Sequence, residues 1–464
     1  MNSRRLICLF ILVSASLALA VDRPPVAPPL PETNPPHDTK APQVDTKRIV
    51  NQSNSFLKDK EPDMSAEEYA LYEKVVDMLS VNPGLAVKML ESMGNEKEKP
   101  SPAFDLILGN AYYATNQYEQ AEKRLRSATN RLPSFLRAWT NLGILYYSTG
   151  RFPLAIECLS KAVVLGDHDS STFGLLGYCL EKQGDLISAE MAYMQALSGE
   201  PSNSDWKDGL LRIYIAGKQY GRAEALIRTL VKEKPAEKQY WLSYVNILLT
   251  QSRKFEAAVI LDTAASASLL GPEDLVLLGD LYAEQHLVSD AIRIYQASSG
   301  STKSRSNQKL IQFAETLISA GKFDDAAKAL EAVATTKPDE QVEYLQTRAD
   351  LFVAQAQWAK ARAELDALLK IAPMNGQALL TLGHTYTEEH DLPHATVIFE
   401  TAVQIPDSTY RASLELANIE LQNHHYGKSA QYLEKAIGIQ KSDTLENYLT
   451  RIKALAREEP HSAE

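Results

Sequence analysis

Apolar residues recur along most of this chain at intervals of three and four, the spacing that places them on one face of an α-helix. The pattern also repeats as a unit: within residues 136–203, a shift of 34 places superimposes its main features. The superimposed residues are Leu142-Gly143 with Leu176-Gly177, Ala155 with Ala189, and Ala162 with Ala196. A fixed period of this length is typical of stacked helix pairs, in which each pair packs only against its neighbours.

Counting back from the alanines that close each helix pair defines ten units, 34 residues apart except for one added residue before the seventh and one before the eighth. Their first residues are Pro102, Leu136, Ser170, Ser204, Lys238, Pro272, Asn307, Val342, Gly376 and Tyr410. Each unit predicts two helices, with glycine or asparagine ending the first helix in the left-handed conformation. These turn residues are Asn116, Gly150, Gly184 and Gly321.

The Leu-Gly pairs predict how the two helices of a unit pack. Glycine in the middle of a helix costs about 1 kcal/mol relative to alanine, so its recurrence requires a packing reason. We expect the second helix to pass too close to the glycine to leave room for a Cβ atom. We also expect the residues of the second helix to be small at that point. Its small residues are Ala121, Ala155, Ala189, Ala223, Ala257, Ala291, Ala326, Ala361 and Ala395. Gly209, Ser243, Arg348-Ala349 and Ser429 depart from the pattern, so we expect their units to pack less tightly.

These recurring positions resemble those of the tetratricopeptide-repeat family over Pro102–Lys441, about three quarters of the chain. The resemblance implies an all-α fold: a right-handed α-α superhelix (solenoid) of stacked antiparallel helix pairs. It also implies a concave groove, lined by the first helix of each pair, that binds partner proteins or peptides. A solenoid needs a polar end, and the unpaired, charged helix near the C-terminus predicts a capping helix.

The chain is predicted to have five segments. They are a signal peptide (1–20), a proline-rich disordered linker (21–64), a degenerate N-terminal helix pair (65–101), ten repeats (102–443), and a capping helix with a tail (444–464). The linker contains many prolines and few large apolar residues, so it cannot bury enough surface to fold. The degenerate pair lacks the Leu-Gly pattern, which is expected of a terminal repeat with one neighbour.

The first twenty residues predict export. Arg4 and Arg5 precede an apolar run of about 14 residues that ends in a small-residue cleavage site after Ala20. The alternative is an uncleaved membrane anchor, but that run is shorter than the ~20 residues that span a bilayer. We therefore expect an exported, periplasmic or secreted protein with no integral membrane span after cleavage. The style of the signal favours a bacterial protein.

The charge balance is acidic. The net charge is −11, and removal of the two signal arginines makes it −13. Nucleic acids and anionic lipids attract basic surfaces, so no nucleic-acid partner is expected. Two cysteines remain after cleavage, Cys158 and Cys179, and we expect both to be small buried residues. The alternative is a disulfide bond, which an exported protein permits.

No catalytic motif is present in the sequence, and no segment outside the repeats is long enough for a catalytic domain, so the protein is not predicted to be an enzyme or to carry a cofactor. Four histidines fall near two successive turns: His390, His394, His424 and His425. One interpretation is a transition-metal site, because imidazole and nearby carboxylates are suitable ligands. The favoured interpretation is polar turn residues, because Pro393 separates His390 from His394 and no zinc-binding motif is present. No metal site is predicted.

The resemblance implies that partners contact the second, fifth, sixth, ninth and thirteenth places of the first helices. Asn110 and Asn141 match, by position, the asparagine pair of the family's carboxylate clamp. The clamp's basic places hold Leu106, Ser171 and Leu175, so recognition of a C-terminal carboxylate is not expected. The predicted partner-binding residues are Asn110, Tyr113, Arg137, Asn141, Tyr147, Asp280, Glu315 and Asp350. The last three predict an acidic strip that docks a basic segment. The first five are expected to hold a peptide backbone, and the alternative is that they are ordinary solvated helix residues.

We therefore predict an exported, non-catalytic scaffold that binds partner proteins or peptides in its groove and takes part in assembling an envelope or secretion complex. The alternative is a carbohydrate- or envelope-processing accessory protein that recruits an enzyme or recognises a polymer. Aromatic residues stacked along the groove would favour that alternative. The four tryptophans are too scattered to do so: Trp139, Trp206, Trp241 and Trp358.

Overall fold

A computed structural model describes residues 83–96, 101–298, 303–334 and 338–458, with isolated positions between 62 and 82. The predicted signal peptide, the linker (save for one isolated position) and most of the first helix of the degenerate pair lie outside these residues. Within them the structure is all-helical, with twenty-two helices and no strand. The fold is a helical repeat solenoid, and the helices divide into two compact units, with the boundary in the chain between Arg253 and Lys254.

Ten helices belong to the N-terminal unit. They are α1 (Pro83–Glu96), α2 (Pro102–Ala114), α3 (Tyr118–Arg131), α4 (Leu136–Ser148), α5 (Phe152–Val164), α6 (Ser170–Gln183), α7 (Leu186–Gly199), α8 (Ser204–Ala216), α9 (Tyr220–Glu233) and α10 (Lys238–Thr250). Each helix packs against the next, and the first helices α2, α4, α6 and α8 also contact one another in succession. We call α2, α4, α6, α8 and α10 the N-terminal row.

Twelve helices belong to the C-terminal unit. They are α11 (Lys254–Ser266), α12 (Pro272–Glu284), α13 (Val288–Ala297), α14 (Lys303–Ser319), α15 (Phe323–Glu331), α16 (Pro338–Ala354), α17 (Trp358–Ile371), α18 (Gly376–Glu388), α19 (Leu392–Ala402), α20 (Pro406–Gln422), α21 (Tyr426–Ile439) and α22 (Asp443–Glu458). The first helices α12, α14, α16, α18 and α20 contact one another in succession and form the C-terminal row. The last helix, α22, packs against α21.

Three first helices begin one turn earlier than the repeat register predicts. They start at Lys303, Pro338 and Pro406, and each has 17 residues, whereas α2 has 13. Proline at the first helical position is favourable, because its missing N–H has no partner there in any case. Pro338 therefore opens a first helix, although its position in the sequence also fits the end of the preceding unit.

A residue with positive φ stands at the fifteenth place of every unit. These residues are Asn116, Gly150, Gly184, Lys218, Ser252, His286, Gly321, Ala356, His390 and His424. The prediction is confirmed for the four glycine and asparagine positions. At the other six, the turn imposes the left-handed conformation on residues whose side chains disfavour it. The two histidines of this set thus belong to the turn itself.

The lack of room for a Cβ atom at the glycine of the Leu-Gly pairs is confirmed, but the expectation that the second helix is small at that point is wrong. A Cβ atom on Gly143 would lie 2.7 Å from the side chain of Leu159, and one on Gly177 would lie 3.0 Å from the ring of Tyr193. The crowding atoms belong mainly to a large side chain of the second helix, rather than to its backbone. The alanines of the second helices, from Ala121 to Ala395, are fully buried, as expected.

The two helices of the Gly209 unit, α8 and α9, approach each other at fewer points than those of the three preceding units, as expected, but Gly209 itself is tightly packed. A Cβ atom there would overlap the ring of Tyr193, which also lies against Gly177. Tyr193 is fully buried, and its ring fills the space between glycines of α6 and α8. The departure from the repeat pattern at Gly209 is therefore what admits a large side chain between two successive repeats.

Candidate functional site

Two predicted residues of the N-terminal row bind each other directly. Asn141 Nδ2 donates a 2.9 Å hydrogen bond to Asn110 Oδ1, which links α4 to α2. The Asn141 side chain is only 3% exposed, and no donor within the described structure reaches its Oδ1 atom. A buried amide oxygen without a donor is costly, and such atoms are rare in native proteins. The pair thus presents an acceptor that a bound molecule can satisfy.

Tyrosine side chains extend from this pair toward the C-terminal ends of α2 and α4. The hydroxyl groups of Tyr113 and Ser148 lie 2.7 Å apart, and the rings of Tyr147 and Tyr178 meet edge to face at 5.5 Å. Burial raises the pKa values of Tyr113 and Tyr147 above the ordinary range, at which a phenol is already protonated at neutral pH, so both hydroxyl groups can donate. Arg137 is half-buried at the other end of α4, roughly 15 Å along the axis from Tyr147.

An ion-pair network in the fourth repeat was not anticipated from the sequence. Arg212 binds both carboxylate oxygens of Glu181 at 2.7 and 2.9 Å and thereby ties α8 to α6. Tyr193 donates a third hydrogen bond of 2.9 Å to the same carboxylate. Burial and the neighbouring negative charge of Glu181 raise the pKa of Tyr193. Arg212 occupies the ninth place of its unit, which is one of the places expected to contact partners. This position was the sequence signal that could have identified Arg212.

Asp208 lies one turn before Arg212 on α8, at the fifth place of the unit. Burial raises the pKa of its carboxyl group, while Tyr240 on α10 faces it as a hydrogen-bond donor and lowers that pKa. Its Oδ1 atom is buried, and none of the described residues donates to it. The N-terminal row therefore carries two orphan acceptor oxygens, on Asn141 and on Asp208.

In the C-terminal row, Asp280 is already neutralised. Its carboxylate accepts a 2.7 Å hydrogen bond from the Tyr295 hydroxyl and lies 3.1 Å from the Lys309 ammonium. Asp280 is thus a poor member of the predicted acidic strip, because its charge is offset within the chain. The sequence places Lys309 on the next first helix but does not reveal that its side chain reaches back.

Glu315 and Asp350 retain acidic character. Glu315 is exposed and accepts a 3.1 Å hydrogen bond from Thr347, while Asp350 accepts one of 2.9 Å from Gln346. Burial raises the pKa of Asp350 to about 6; the Gln346 hydrogen bond lowers it, and the Glu315 charge raises it. Burial and the charges of Glu315 and Glu340 also raise the pKa of Glu343. We call Glu315, Glu343 and Asp350 the acidic patch.

The four histidines near successive turns have separate partners. The imidazole of His394 lies 2.8 Å from Asp391 and stacks on Tyr386, and that of His425 lies 2.7 Å from Glu420. His424 lies 3.2 Å from the Tyr426 hydroxyl, and His390 adopts the left-handed turn conformation. Over the described parts of the chain, no group of three or more histidine, cysteine, aspartate or glutamate side chains is placed to hold a metal ion.

The two remaining cysteines are buried and free, as predicted. Burial raises the pKa of each thiol to about 12, so both are inert thiols at neutral pH. The alternative of a disulfide between Cys158 and Cys179 is not realised. Among the helices that the structure describes, none combines the length and apolarity needed to cross a membrane.

Comparison with curated proteins finds distant relatives. Cellulose synthase operon protein C of Pseudomonas fluorescens is 21% identical over 400 residues, which cover 73% of this chain and 31% of that protein. Lipopolysaccharide assembly protein B of Haemophilus influenzae is 26% identical over 167 residues, covering 34% and 42% respectively. The matched region thus spans less than half of either relative.

Solved structures with similar folds include Naa15/Naa10 bound to HypK-THB, with a TM-score of 0.43 and 16% identity over 85% of this chain and 67% of that chain. A tetratricopeptide repeat protein from Parabacteroides merdae has a TM-score of 0.36 and 16% identity, covering 51% and 93%. Two models of the tetratricopeptide repeat match this sequence, over residues 107–170 and 180–244. The two model matches identify tetratricopeptide repeats at residues 107–170 and 180–244, and the left-handed turn positions continue the same register through ten units.

Proposed function

We propose that this protein is an exported, non-catalytic scaffold that holds a segment of a partner protein along its N-terminal row. The observation that carries the proposal is the Asn110–Asn141 pair, in which a buried amide oxygen has no donor among the described residues. Backbone N–H groups of an extended segment are donors of the required kind. The protonated phenols of Tyr113 and Tyr147 add donors for the carbonyl groups of the same segment.

The acidic patch supports a second contact, with a basic stretch of a partner. Burial and then the charge of Glu315 raise the pKa values of both Glu343 and Asp350, as expected where carboxylates share a partly buried region. A lysine- or arginine-rich stretch would relieve this repulsion, and its association would weaken as salt is added. Asp280 is left out of this contact, because Lys309 already occupies it.

We further propose that the chain is exported and assists assembly of an envelope or secretion complex. The signal-like pattern of residues 1–20 supports export. Two relatives carry names that refer to a cellulose synthase operon and to lipopolysaccharide assembly. Sequencing the N-terminus of the mature protein tests the export step: a chain that begins at Val21 supports it, and an intact Met1 in the purified protein contradicts it.

Those two names also favour the second candidate, an accessory protein that recognises an envelope polymer or recruits the enzyme that processes it. Binding assays with purified protein distinguish the two candidates. Retention on an envelope polysaccharide that is lost in an Asn141→Leu variant favours the polymer. Retention of a protein partner that is lost in the same variant favours the scaffold.

Site-specific photocrosslinking tests the scaffold directly. A benzoylphenylalanine in place of Tyr113 lies on the N-terminal row, whereas one in place of the exposed Glu157 lies on the second helix α5. We expect discrete crosslinked protein bands in cells from the Tyr113 position and none from Glu157. Equal yields from both positions, or no adduct from Tyr113, would contradict the proposed binding surface.

A further inference from the structure

Asp208 is a half-buried carboxylate that the described chain leaves without a cation. Arg212, one turn later on the same helix, is held by both oxygens of Glu181. Lys207, the adjacent residue, pairs with Glu233 at 2.6 Å. The basic side chains nearest to Asp208 in sequence are therefore committed to other carboxylates.

The other groups that face Asp208 do not complete its coordination. Tyr240 offers a phenol hydrogen, Arg212 and Lys234 act on the carboxylate through their charge alone, and Asp205 adds a second negative charge. The buried Oδ1 atom has no donor within the described residues. A carboxylate removed from water is costly unless a positive charge accompanies it, and such groups cluster at functional sites.

We propose that Asp208 pairs with the ammonium or guanidinium group of a lysine or arginine in the segment held on the N-terminal row, and so selects a basic residue at that point. The proposal rests on the proposed scaffold function. A neutral donor would satisfy the oxygen, whereas a cation would satisfy it and also place a positive charge in direct contact with the carboxylate. Because Oδ1 has no donor, the Tyr240 contact is made by Oδ2, and the carboxylate can keep that contact while its side chain turns to bring Oδ1 to the ligand.

The location of Asp208 favours a peptide side chain over a free ion. Asp208 and Asn141 stand at the fifth and sixth places of their units, two repeats apart, and each has an orphan oxygen. Asp205 on α8 is close enough to Tyr147 on α4 to raise the pKa of that phenol, after burial and nearer groups. The proposed segment would satisfy Asn141 with its backbone and reach Asp208 with a long side chain.

Selection from a random linear-peptide display library on the full-length protein tests the proposal. We expect enriched peptides to share a lysine or arginine at a fixed position. Asp208→Asn keeps the shape of the side chain and should reduce the affinity of such a peptide about 10- to 100-fold, as expected when one partner of a desolvated charge pair is removed. Glu157→Gln removes one exposed charge from α5 and should bind like the wild type.

A change in the peptide provides the decisive comparison. Replacing its basic residue with glutamine should weaken binding to the wild type and have much less effect on binding to Asp208→Asn. Enriched peptides without a shared basic residue, or equal losses in both proteins, would overturn the role of Asp208 while leaving the scaffold function intact. A library that yields no binder, although the protein is folded by circular dichroism, would count against both.

Discussion

The left-handed turns predict that Ala356→Gly stabilises this protein. Ala356 has a φ of 55° in the turn between α16 and α17, and its methyl group is exposed. An L-residue in this conformation costs about 1–2 kcal/mol, which glycine does not incur. Glycine adds about 0.4–1 kcal/mol of conformational entropy to the unfolded chain, which opposes the gain. We expect the free energy of unfolding to rise by about 0.5–1 kcal/mol.

The matched control is Gly321→Ala in the equivalent turn of the preceding repeat, between α14 and α15. Gly321 has a φ of 72°, and a Cβ atom placed on it would meet nothing within 4 Å. The substitution therefore changes the backbone energy without creating a clash. It should lower the free energy of unfolding by about the amount that Ala356→Gly raises it.

Urea unfolding followed by circular dichroism and by tryptophan fluorescence measures both changes. Trp358 opens α17 two residues after Ala356, so its fluorescence reports on this region. Repeat arrays do not always unfold in one step, so midpoints should be compared only while the slope against urea is unchanged. A midpoint for Ala356→Gly below the wild type, or an unchanged midpoint for Gly321→Ala, would refute the assigned energetic cost of the turn.

Two further predictions concern burial. The raised pKa of Asp350 means that the fold disfavours its charged form, so this carboxylate lowers stability above pH 6 and the loss disappears as the pH falls from about 6 toward 3.8. Asp350→Asn should remove this dependence, which is at most about 3 kcal/mol, in unfolding curves measured from pH 4 to 8. Gly209→Ala should lower the free energy of unfolding by about 1–3 kcal/mol, because the new methyl group overlaps Tyr193. A thermal melt equal to the wild type would show that the ring can move away.

The helix pairs could be predicted from the sequence because their determinants are local and periodic. A Leu-Gly pair and an alanine in a 34-residue register fix which faces of two consecutive helices meet. The extra first turns at Lys303, Pro338 and Pro406 could not be found in this way. These turns lie before the positions that define the register. A longer helix and a loop are both compatible with the repeat spacing there, so the sequence does not distinguish them.

The turn residues show a second limit. Gly150 and Asn116 indicate a left-handed conformation because glycine and asparagine favour it. Lys218 and Ala356 have no such preference and adopt it because the helices on either side of them require it. Sequence reasoning that depends on residue type therefore identifies some of these turns, whereas the register of the repeat identifies all of them.

For the site, position in the repeat predicted which residues share a face but not how their side chains pair. Asn110 and Asn141 were expected on one surface, and the structure adds that they bind each other. Asp280 was expected to be available for a partner, but it forms an ion pair with Lys309. Long side chains such as lysine choose partners by reach and competition across repeats, and a spacing rule contains no information about that choice.

The same contacts that hold the fourth repeat in place also position Asp208. In the turn that follows it along α8, Gly209 receives the ring of Tyr193 and Arg212 binds Glu181 on α6. These contacts fix α8 in position. The Asp208 carboxylate is therefore positioned by the contacts of Gly209 and Arg212, and not by an ion pair of its own. A site of this kind binds without first ordering its backbone, which lowers the entropic cost of association. It also links stability to recognition: a change that moves α8, such as Gly209→Ala, should weaken binding of a basic peptide even though Gly209 does not contact it.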